Sequence, residues 1–275
     1  CIRDSPSSSR VTEQRPRKRS LEFGGRTRTW VEVPGGDTGT LILFLHGSRQ
    51  SGNVARNFTD RTFESLGHTV IYPDGVGRHF NDLRRGFRES ARTLGVDDVG
   101  FLTALLARYP HERVIGCGFS NGGQMLIRML IDAPATLHAA ALFGASMPTE
   151  ENTLPPRDSS RAWHPTPILC VQGTADPLVP YEGGMAGIGG NNRGVTRSAV
   201  DSAAYFAARN GASFRGRTQL SEHIHLDTWD GDAPVHLATI EGFGHMVPCA
   251  KDLDPRLGPG TREVTGAGLV DKLLC

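Results

Sequence analysis

The sequence predicts a doubly wound α/β fold, in which helices cover both faces of a mostly parallel sheet. Short apolar runs alternate with helix-like segments along most of the chain, which is the order of a strand–helix repeat. Several runs, such as "LILFL", "VIGCGF" and "PILCV", are apolar throughout rather than alternating. Strands of this kind are typical of a parallel sheet that is buried on both sides. At 275 residues the chain can bury a core of the required size.

In the first half of the chain, three runs rich in β-branched, aromatic or aliphatic residues predict strands: "RTWVEV", "TLILFLHG" and "HTVIYPDG". The segment "NVARNFTDRTFESLG" lies between the last two and is predicted as one helix. The next helix, "VDDVGFLTALLARY", has Asp97 or Asp98 as a suitable N-cap.

In the second half, the strand "RVIGCGF" is followed directly by the helix "NGGQMLIRMLI", and then by the strands "HAAALFGAS" and "TPILCVQG". The helix "SAVDSAAYFAARNG" is predicted to end at Gly211 and precedes the strand "VHLATIEG". The stretch "EGGMAGIGGNNRG", residues 182–194, is too rich in glycine for a regular element. It is predicted as a surface loop that can border a site.

The N-terminal segment differs from the rest in composition. Residues 1–19 are of low complexity and predict a disordered Ser/Arg/Pro tether, whereas residues 20–275 predict a single α/β domain. Up to Trp30 there are eight basic and three acidic residues, although the net charge of the whole chain is +1. A solvated tether is the preferred interpretation, with polyanion binding as the alternative. The near-neutral total predicts no nucleic-acid partner.

The sequence begins with Cys1, followed by the polar stretch "RDSPSSSR". This pattern resembles a processed bacterial lipoprotein, in which the N-terminal cysteine carries the lipid. The expectation is therefore a secreted or cell-envelope protein that can attach to a membrane through Cys1. The alternative is that residue 1 is an arbitrary start. No apolar run approaches the roughly 18 residues that span a bilayer.

The remaining cysteines do not indicate a metal site. Cys117 and Cys170 lie in apolar runs, where a buried free thiol is the usual outcome. Cys249 and Cys275 could pair in an oxidising compartment, but the sequence does not determine the pairing. Because neither a CxxC nor a Cys/His spacing is present, no metal or cofactor is predicted.

The motif "GCGFSNGG" joins the strand "RVIGCGF" to the following helix. A sharp strand-to-helix turn at Ser120 would hold that residue in a strained conformation and bring its neighbours close together. Gly118 and Gly122, two positions to either side, are small enough to permit this approach. The strand-to-helix context predicts Ser120 as a nucleophile whose hydroxyl stands above the sheet, although the pentapeptide alone would be a weak signal.

A nucleophilic serine needs a base and an acid, in the chain order Ser, Asp, His for this type of turn. Asp176 follows the buried strand "ILCVQG", and His245 follows the strand "ATIEG" on a glycine-containing loop. An oxyanion hole needs two backbone N–H groups. We expect these from Asn121, directly after the nucleophile, and from Ser48, in the loop after "LFLHG". His46 in that loop is predicted to be structural.

These ordered motifs resemble one known family. "LFLHG", "YPDG" with "FNDLR", "VDDVGFL", "GFSNGG", "GTADPLVPY" and "EGFGHMVP" are similar to the polyhydroxybutyrate depolymerase and feruloyl esterase-like family of α/β-hydrolases, over about residues 20–248. The resemblance implies an α/β-hydrolase fold with Ser120, Asp176 and His245 as the triad; many members are secreted or lipoprotein esterases. Two positions depart from the pattern: Gln172 replaces a frequent His before the acid motif, and Met246 replaces a frequent Trp after the catalytic His.

The predicted function is a serine carboxylester hydrolase that forms an acyl-enzyme. Its expected substrates are short-acyl esters, or feruloyl and acetyl esters on polysaccharides. The alternatives are a polyhydroxybutyrate depolymerase and a non-catalytic hydrolase-fold binding protein. Phe80 and Met246 are predicted to flank an open, shallow acyl pocket. The polar, proline-rich segment between "HAAALFGAS" and "TPILCVQG" predicts a loop rather than a lid helix.

Overall fold

The computed structural model of the protein describes residues 15–275. The strands are β1 (Arg17–Phe23), β2 (Arg26–Val33), β3 (Thr40–Leu45), β4 (Thr69–Pro73), β5 (Arg113–Phe119), β6 (Ala139–Phe143), β7 (Ile168–Gly173), β8 (Gly184–Ile188), β9 (Asn191–Thr196), β10 (Ser213–Ser221), β11 (Ile224–Asp230) and β12 (Val235–Ile240). The α-helices are α1 (Gly52–Phe58), α2 (Ser90–Thr93), α3 (Asp98–Leu106), α4 (Asn121–Asp132), α5 (Ala199–Asn210) and α6 (Gly266–Leu274). Within the described part of the chain, no helix is long and apolar enough to cross a bilayer.

Ten strands form one sheet in the order β1-β2-β4-β3-β5-β6-β7-β12-β11-β10. The six central strands, β4, β3, β5, β6, β7 and β12, run parallel to one another. At each edge of the sheet, the two outer strands pair antiparallel: β1 and β2 on one side, and β11 and β10 on the other. The central strands β3, β5, β6 and β7 are buried along almost their whole length. This explains their continuous apolar sequences, because both of their faces lie under other elements.

Helices pack on both faces of the sheet. One hydrophobic cluster contains residues of α3, α4 and α5, and a second cluster on other sheet residues contains residues of α1 and α6. Local signals delimit these helices as expected: Asp97 caps α3 by accepting from the Gly100 N–H, and Gly211 ends α5 in the left-handed conformation. The predicted doubly wound fold is confirmed.

The segment predicted as one helix after β3 is interrupted. Helix α1 stops at Phe58, and a separate 3₁₀ turn covers Thr62–Leu66. Asp60 and Arg61 lie between them with φ values of 54° and 56°, which a continuing α-helix excludes. The break depends on left-handed backbone conformations at these two residues, and the sequence has no glycine or proline there to signal it.

Two boundaries also differ from the sequence-based expectation. Strand β1 begins at Arg17 and pairs with β2, so residues 17–19 belong to the sheet rather than to the predicted tether. The stretch predicted as an irregular loop forms an antiparallel hairpin, β8–β9. Hydrogen bonds between the two backbones stabilise it, although its many glycines have no side chains to pack. Cys1, the predicted lipid-bearing residue, lies outside the described residues.

The four described cysteines are free. Cys117 and Cys170 are buried, as predicted, and burial raises the pKa of the Cys170 thiol to about 12. Cys249 is buried and Cys275 is exposed, and they do not form a disulfide.

Candidate active site

Ser120 occupies the sharp turn between β5 and α4. Its φ of 51° and ψ of −113° lie in a region that residues with a side chain rarely adopt. The Ser120 N–H donates to the Phe143 carbonyl at 2.9 Å, which ties the turn to the neighbouring strand β6. The turn therefore holds one serine in a strained conformation at the carboxyl edge of the parallel strands, as the sequence motif predicts.

The flanking glycines are required by close backbone contacts. A Cβ at Gly118 would lie 2.6 Å from the Gly122 carbonyl oxygen, and a Cβ at Gly122 would lie 2.0 Å from the Leu45 carbonyl oxygen. Both distances are far below van der Waals contact, so an alanine at either position would displace the backbone. These contacts show why the turn needs glycine two residues before and after Ser120.

His245 and Asp176 form a buried pair. His245 Nδ1 lies 2.7 Å from Asp176 Oδ2, and the two residues are 4% and 8% exposed. The Phe119 ring packs against the imidazole, with ring centroids 4.8 Å apart. Ser120 and His245 line the same pocket. No hydrogen bond joins their side chains in this part of the chain; in free enzymes such contacts often tighten when substrate binds.

Asp176 is held by further donors. Its Oδ1 accepts from the N–H groups of Leu178 and Val179, both at 2.8 Å, and its Oδ2 accepts from Gln172 Nε2 at 3.1 Å. Gln172 also donates to the Val179 carbonyl, which fixes the orientation of its amide. The residue noted in the sequence as a departure from the family pattern thus supports the acid. The structure brings all three predicted triad residues to one site.

The predicted oxyanion donors lie on two loops beside Ser120. Asn121 is the first residue of α4, and Ser48 lines the pocket in the loop after β3. Among the described residues, neither backbone N–H has a hydrogen-bond partner. Unpaired N–H groups near a nucleophile are the donors that an oxyanion hole requires.

His46 supports the loop that carries Ser48. The His46 Nε2 accepts from the Gly75 N–H at 2.9 Å, and Nδ1 lies 2.8 Å from the Gly47 carbonyl oxygen. A nitrogen that accepts a hydrogen bond is unprotonated, so the ring is neutral. Burial lowers the pKa of His46 to about 4, which agrees with this state. This arrangement fits the structural role predicted for His46.

Phe80 does not contact the pocket, which corrects the sequence-based prediction. Its side chain is fully buried and packs on the His46 ring at 4.5 Å between centroids. Its backbone N–H and carbonyl both bond to the Asn121 side chain, at 2.8 and 3.0 Å. The motif "FNDLR" therefore anchors the start of α4 through backbone contacts, and the aromatic ring fills space beneath the neighbouring loop.

Met246 is also misplaced by the prediction. It is 4% exposed and belongs to the hydrophobic cluster that contains α6 residues, so it does not line the pocket of Ser120. Leu257, whose carbonyl accepts from the His245 backbone N–H at 2.6 Å, lines the pocket together with His245, whereas Met246 does not. The prediction that Met246 flanks the acyl pocket is therefore wrong.

The pocket itself has a volume of about 240 Å³. Its apolar lining comes from scattered elements, namely Phe58, Phe119, Leu178, Val179, Ala186 and Leu257. The β8–β9 hairpin contributes Gly187, Asn191 and Arg193, which confirms that the glycine-rich stretch borders the site. Phe119 could have been found from the sequence, because it directly precedes Ser120. Leu178 and Val179 lie in the motif "GTADPLVPY", but nothing in that motif identifies them as pocket residues.

The comparisons with known proteins agree with this architecture. A solved structure of a pOPH variant in complex with DMSO matches 90% of this chain and 84% of its own, with a TM-score of 0.52 and 15% identity. The chain has the α/β-hydrolase fold. No protein-family model matches it.

Two curated proteins are similar to this α/β-hydrolase chain in sequence. "Putative esterase NocK" of Nocardia uniformis subsp. tsuyamanensis is 29% identical over 261 residues, which cover 84% of this chain and 73% of that protein. "Probable carboxylesterase" of Oryza sativa subsp. japonica is 37% identical over 177 residues, or 54% of this chain and 63% of that protein. These relatives support ester hydrolysis in general, without distinguishing the polyhydroxybutyrate depolymerase or feruloyl esterase subfamily.

Proposed function

We propose that this chain is a serine carboxylester hydrolase with Ser120 as nucleophile, His245 as base and Asp176 as the orienting acid. The observation that carries the proposal is the strained serine in one pocket with a histidine that is hydrogen-bonded to a buried carboxylate. The order Ser, Asp, His along the chain is that of α/β-hydrolases. The similarity to two esterases supports the same reaction class.

The reaction follows from this geometry. His245 Nε2 takes the proton of Ser120 Oγ, and the oxygen attacks the ester carbonyl carbon. The N–H groups of Ser48 and Asn121 stabilise the negative oxygen of the tetrahedral intermediate. The intermediate collapses to an acyl-enzyme, and the alcohol leaves with the proton from His245. Water then attacks the acyl group with His245 again as base, which releases the carboxylic acid and restores Ser120.

Asp176 keeps the histidine in the required tautomer. Its contact with Nδ1 places the proton there and leaves Nε2 free to accept the serine proton. Because Asp176 accepts two backbone N–H bonds and one from Gln172, the carboxylate cannot rotate away. The acid thus stabilises the imidazolium that forms during each step.

Short acyl groups are the proposed substrates. A pocket of about 240 Å³ can enclose a small acyl chain, whereas a long chain would have to extend beyond it into solvent. Between β6 and β7 the structure contains no α-helix that could act as a lid, and one 3₁₀ turn, Glu150–Asn152, is present there. We expect highest activity on acetyl to butyryl esters and no increase in rate when a substrate exceeds its solubility limit. A preference for long-chain triglyceride emulsions would contradict this proposal.

Labelling and hydrolysis test the proposed mechanism together. A fluorophosphonate probe should label the wild type and fail to label Ser120→Ala, whose kcat should fall by about 10⁶-fold. Adding His245→Ala to Ser120→Ala should cause little further loss, because the two residues act as one unit. The substrate panel comprises nitrophenyl acetate to long-chain esters, methyl ferulate, acetylxylan and hydroxybutyrate oligomers. A folded Ser120→Ala variant with wild-type activity would rule out the mechanism.

A further inference from the structure

Three arginines line the pocket of Ser120: Arg49, Arg84 and Arg193. Among the described residues that line it, none is an aspartate or a glutamate. A neutral ester needs no cation beyond the donors of the oxyanion hole. The function of each guanidinium group depends on whether its charge is already paired within the protein.

Arg84 is buried and held in a fixed position. It is 5% exposed, and its Nε and Nη2 both donate to Asp82, with the shortest contact at 2.6 Å from Nη2 to Oδ2. Asp82 Oδ2 also accepts from the Asn121 side chain at 2.8 Å, so the guanidinium is anchored to the residue that follows Ser120. The remaining nitrogen, Nη1, has no hydrogen-bond partner among the described residues. It is the part of Arg84 left to meet a substrate.

Arg193 and Arg49 differ in their charge balance. Arg193 donates to Glu89 at 2.6 Å, and its guanidinium lies 5.1 Å from the centre of the Phe87 ring, so its charge is paired. Arg49 is exposed and forms no ion pair within residues 15–275. Arg84 is paired to Asp82 and Arg193 to Glu89, so Arg49 is the one of these three arginines whose charge no ion pair balances within residues 15–275.

We propose that the preferred substrates of this site are esters that carry a carboxylate, bound by Arg84 Nη1 and by Arg49. This inference rests on the proposed ester hydrolysis and specifies its substrate class. Arg84 Nη1 has no protein partner in the described part of the chain but is not sealed from solvent, so a carboxylate oxygen in the pocket would accept a charge-assisted hydrogen bond from it. The unpaired charge of Arg49 compensates a single negative charge. An uncharged substrate leaves both groups unused.

Matched ester pairs test the preference directly. For charge on the alcohol side, meta-acetoxybenzoate is compared with meta-acetoxybenzamide; for charge on the acyl side, monomethyl glutarate is compared with the methyl ester of glutaric half-amide. At least one anionic ester should have a kcat/KM about tenfold or more above that of its amide, because charge-assisted hydrogen bonds are worth this much. The arm that shows the preference tells which side of the ester faces the arginines.

Charge-removing variants connect this preference to the two arginines. Arg49→Gln and Arg84→Gln should each lower the anion-to-amide ratio of kcat/KM by about tenfold, by removing one partner of the carboxylate. Arg78→Gln is the matched control: Arg78 is exposed, its carbonyl accepts from the Arg49 N–H, and it does not line the pocket. It removes the same charge nearby and should leave the ratio unchanged.

The outcomes separate the two proposals. Equal kcat/KM within both pairs, or a preference for both amides, would overturn the anionic-substrate inference while leaving ester hydrolysis intact. An equal fall of the ratio in Arg78→Gln would also overturn it, since a diffuse field rather than a binding contact would be at work. Failure of the proposed function has a different signature, namely no hydrolysis of any ester and no labelling of Ser120.

Discussion

The turn at Ser120 and the β8–β9 hairpin line the same pocket but are built in opposite ways. At the turn, Gly118, Ser120 and Gly122 are fixed by backbone contacts that permit no added atom. On the hairpin, Met185 and Val195 face each other across the strands and are 52% and 40% exposed. Gly190, at the tip, has open space where a Cβ would be.

The hairpin is joined to the body of the protein at a few points. The Gly187 N–H donates to the Leu178 carbonyl at 2.8 Å, and Asn152 Nδ2 donates to the Arg193 carbonyl at 3.0 Å. Further anchors are the Thr149 N–H, which donates to the Val195 carbonyl, the Thr196 hydroxyl, which donates to the Ser146 and Met147 carbonyls, and the ion pair of Arg193 with Glu89. The difference teaches that the reactive groups depend on an over-determined backbone, whereas the exposed strand faces and the tip of the hairpin can accept other side chains. Substitutions at the turn should therefore greatly reduce the rate of the chemical step, whereas substitutions on the hairpin should mainly change which substrates are preferred.

The largest expected effect is that of Asp176→Asn. The variant should lose about 10⁴-fold in kcat because the amide stabilises the wrong tautomer of His245. Asn191→Ala on the hairpin is the matched change in the same pocket and should cost less than about tenfold. Steady-state kinetics on a butyryl ester measures both. Comparable losses would remove the distinction between the two regions.

The next effect concerns stability. Gly122→Ala should lower the free energy of unfolding by about 3 kcal/mol or more, because the new Cβ would lie 2.0 Å from the Leu45 carbonyl oxygen. Gly190→Ala is the control, since nothing lies within 4 Å of its Cβ position. It should change stability by less than about 0.5 kcal/mol. Urea unfolding gives both values, and similar losses would show that the turn is less constrained than its contacts imply.

A smaller effect is expected from the pH dependence of His46, which supports the rigid side of the pocket. Its pKa is lowered to about 4 in the folded protein by burial, with Asp74 opposing and His79 adding to the shift, while the unfolded value is about 6.5. As pH falls from about 6.5 to 4, His46 is therefore protonated in the unfolded chain but stays neutral in the folded protein. Stability is complete above this window and falls by roughly 2.5 kcal/mol on reaching pH 4.5.

His46→Gln isolates this contribution from those of the other histidines. Unfolding by urea at pH 7 and pH 4.5 should show a smaller loss for the variant than for the wild type, by about the same 2.5 kcal/mol. An identical pH dependence in both proteins would mean that His46 is not kept neutral by the fold.

The smallest effect is expected from Glu89→Gln, which weakens the anchor of Arg193. The contact is part-buried, so its loss should cost about 1 kcal/mol locally and change kcat/KM by only a few-fold. Fluorophosphonate labelling of Ser120 should keep its wild-type rate, because the probe tests the turn and not the hairpin. A large fall in the labelling rate would show that the hairpin controls the nucleophile.

The sequence predicted the rigid side well because its constraints are local. The pattern Gly-x-Ser-x-Gly between an apolar strand and a helix is compatible with few backbone conformations. The continuous apolar runs of the central strands indicate directly that these strands are buried. The hairpin and the antiparallel strands β10 and β11 were not predicted. Strand β10, "SFRGRTQLS", is polar and mostly exposed, so it has neither an apolar run nor a clear alternation.

The pocket lining was predicted poorly for a different reason. A local motif places Phe80 near the site in space, but the direction of its ring depends on the packing of His46, which no local pattern records. Met246 follows His245 directly, yet adjacent residues on a loop can point to opposite sides. The three arginines that line the pocket come from separate segments, and their convergence is a property of the fold alone.

The sheet order has a consequence for the biosynthesis of the protein. Ser120 follows β5, whereas His245 follows β12, which sits beside β7 in the sheet although some sixty residues separate the two strands in the chain. A nascent chain that has emerged only as far as α4 already carries Ser120 but neither Asp176 nor His245. The proposed triad can therefore assemble only late in translation, after β12 has joined the sheet beside β7.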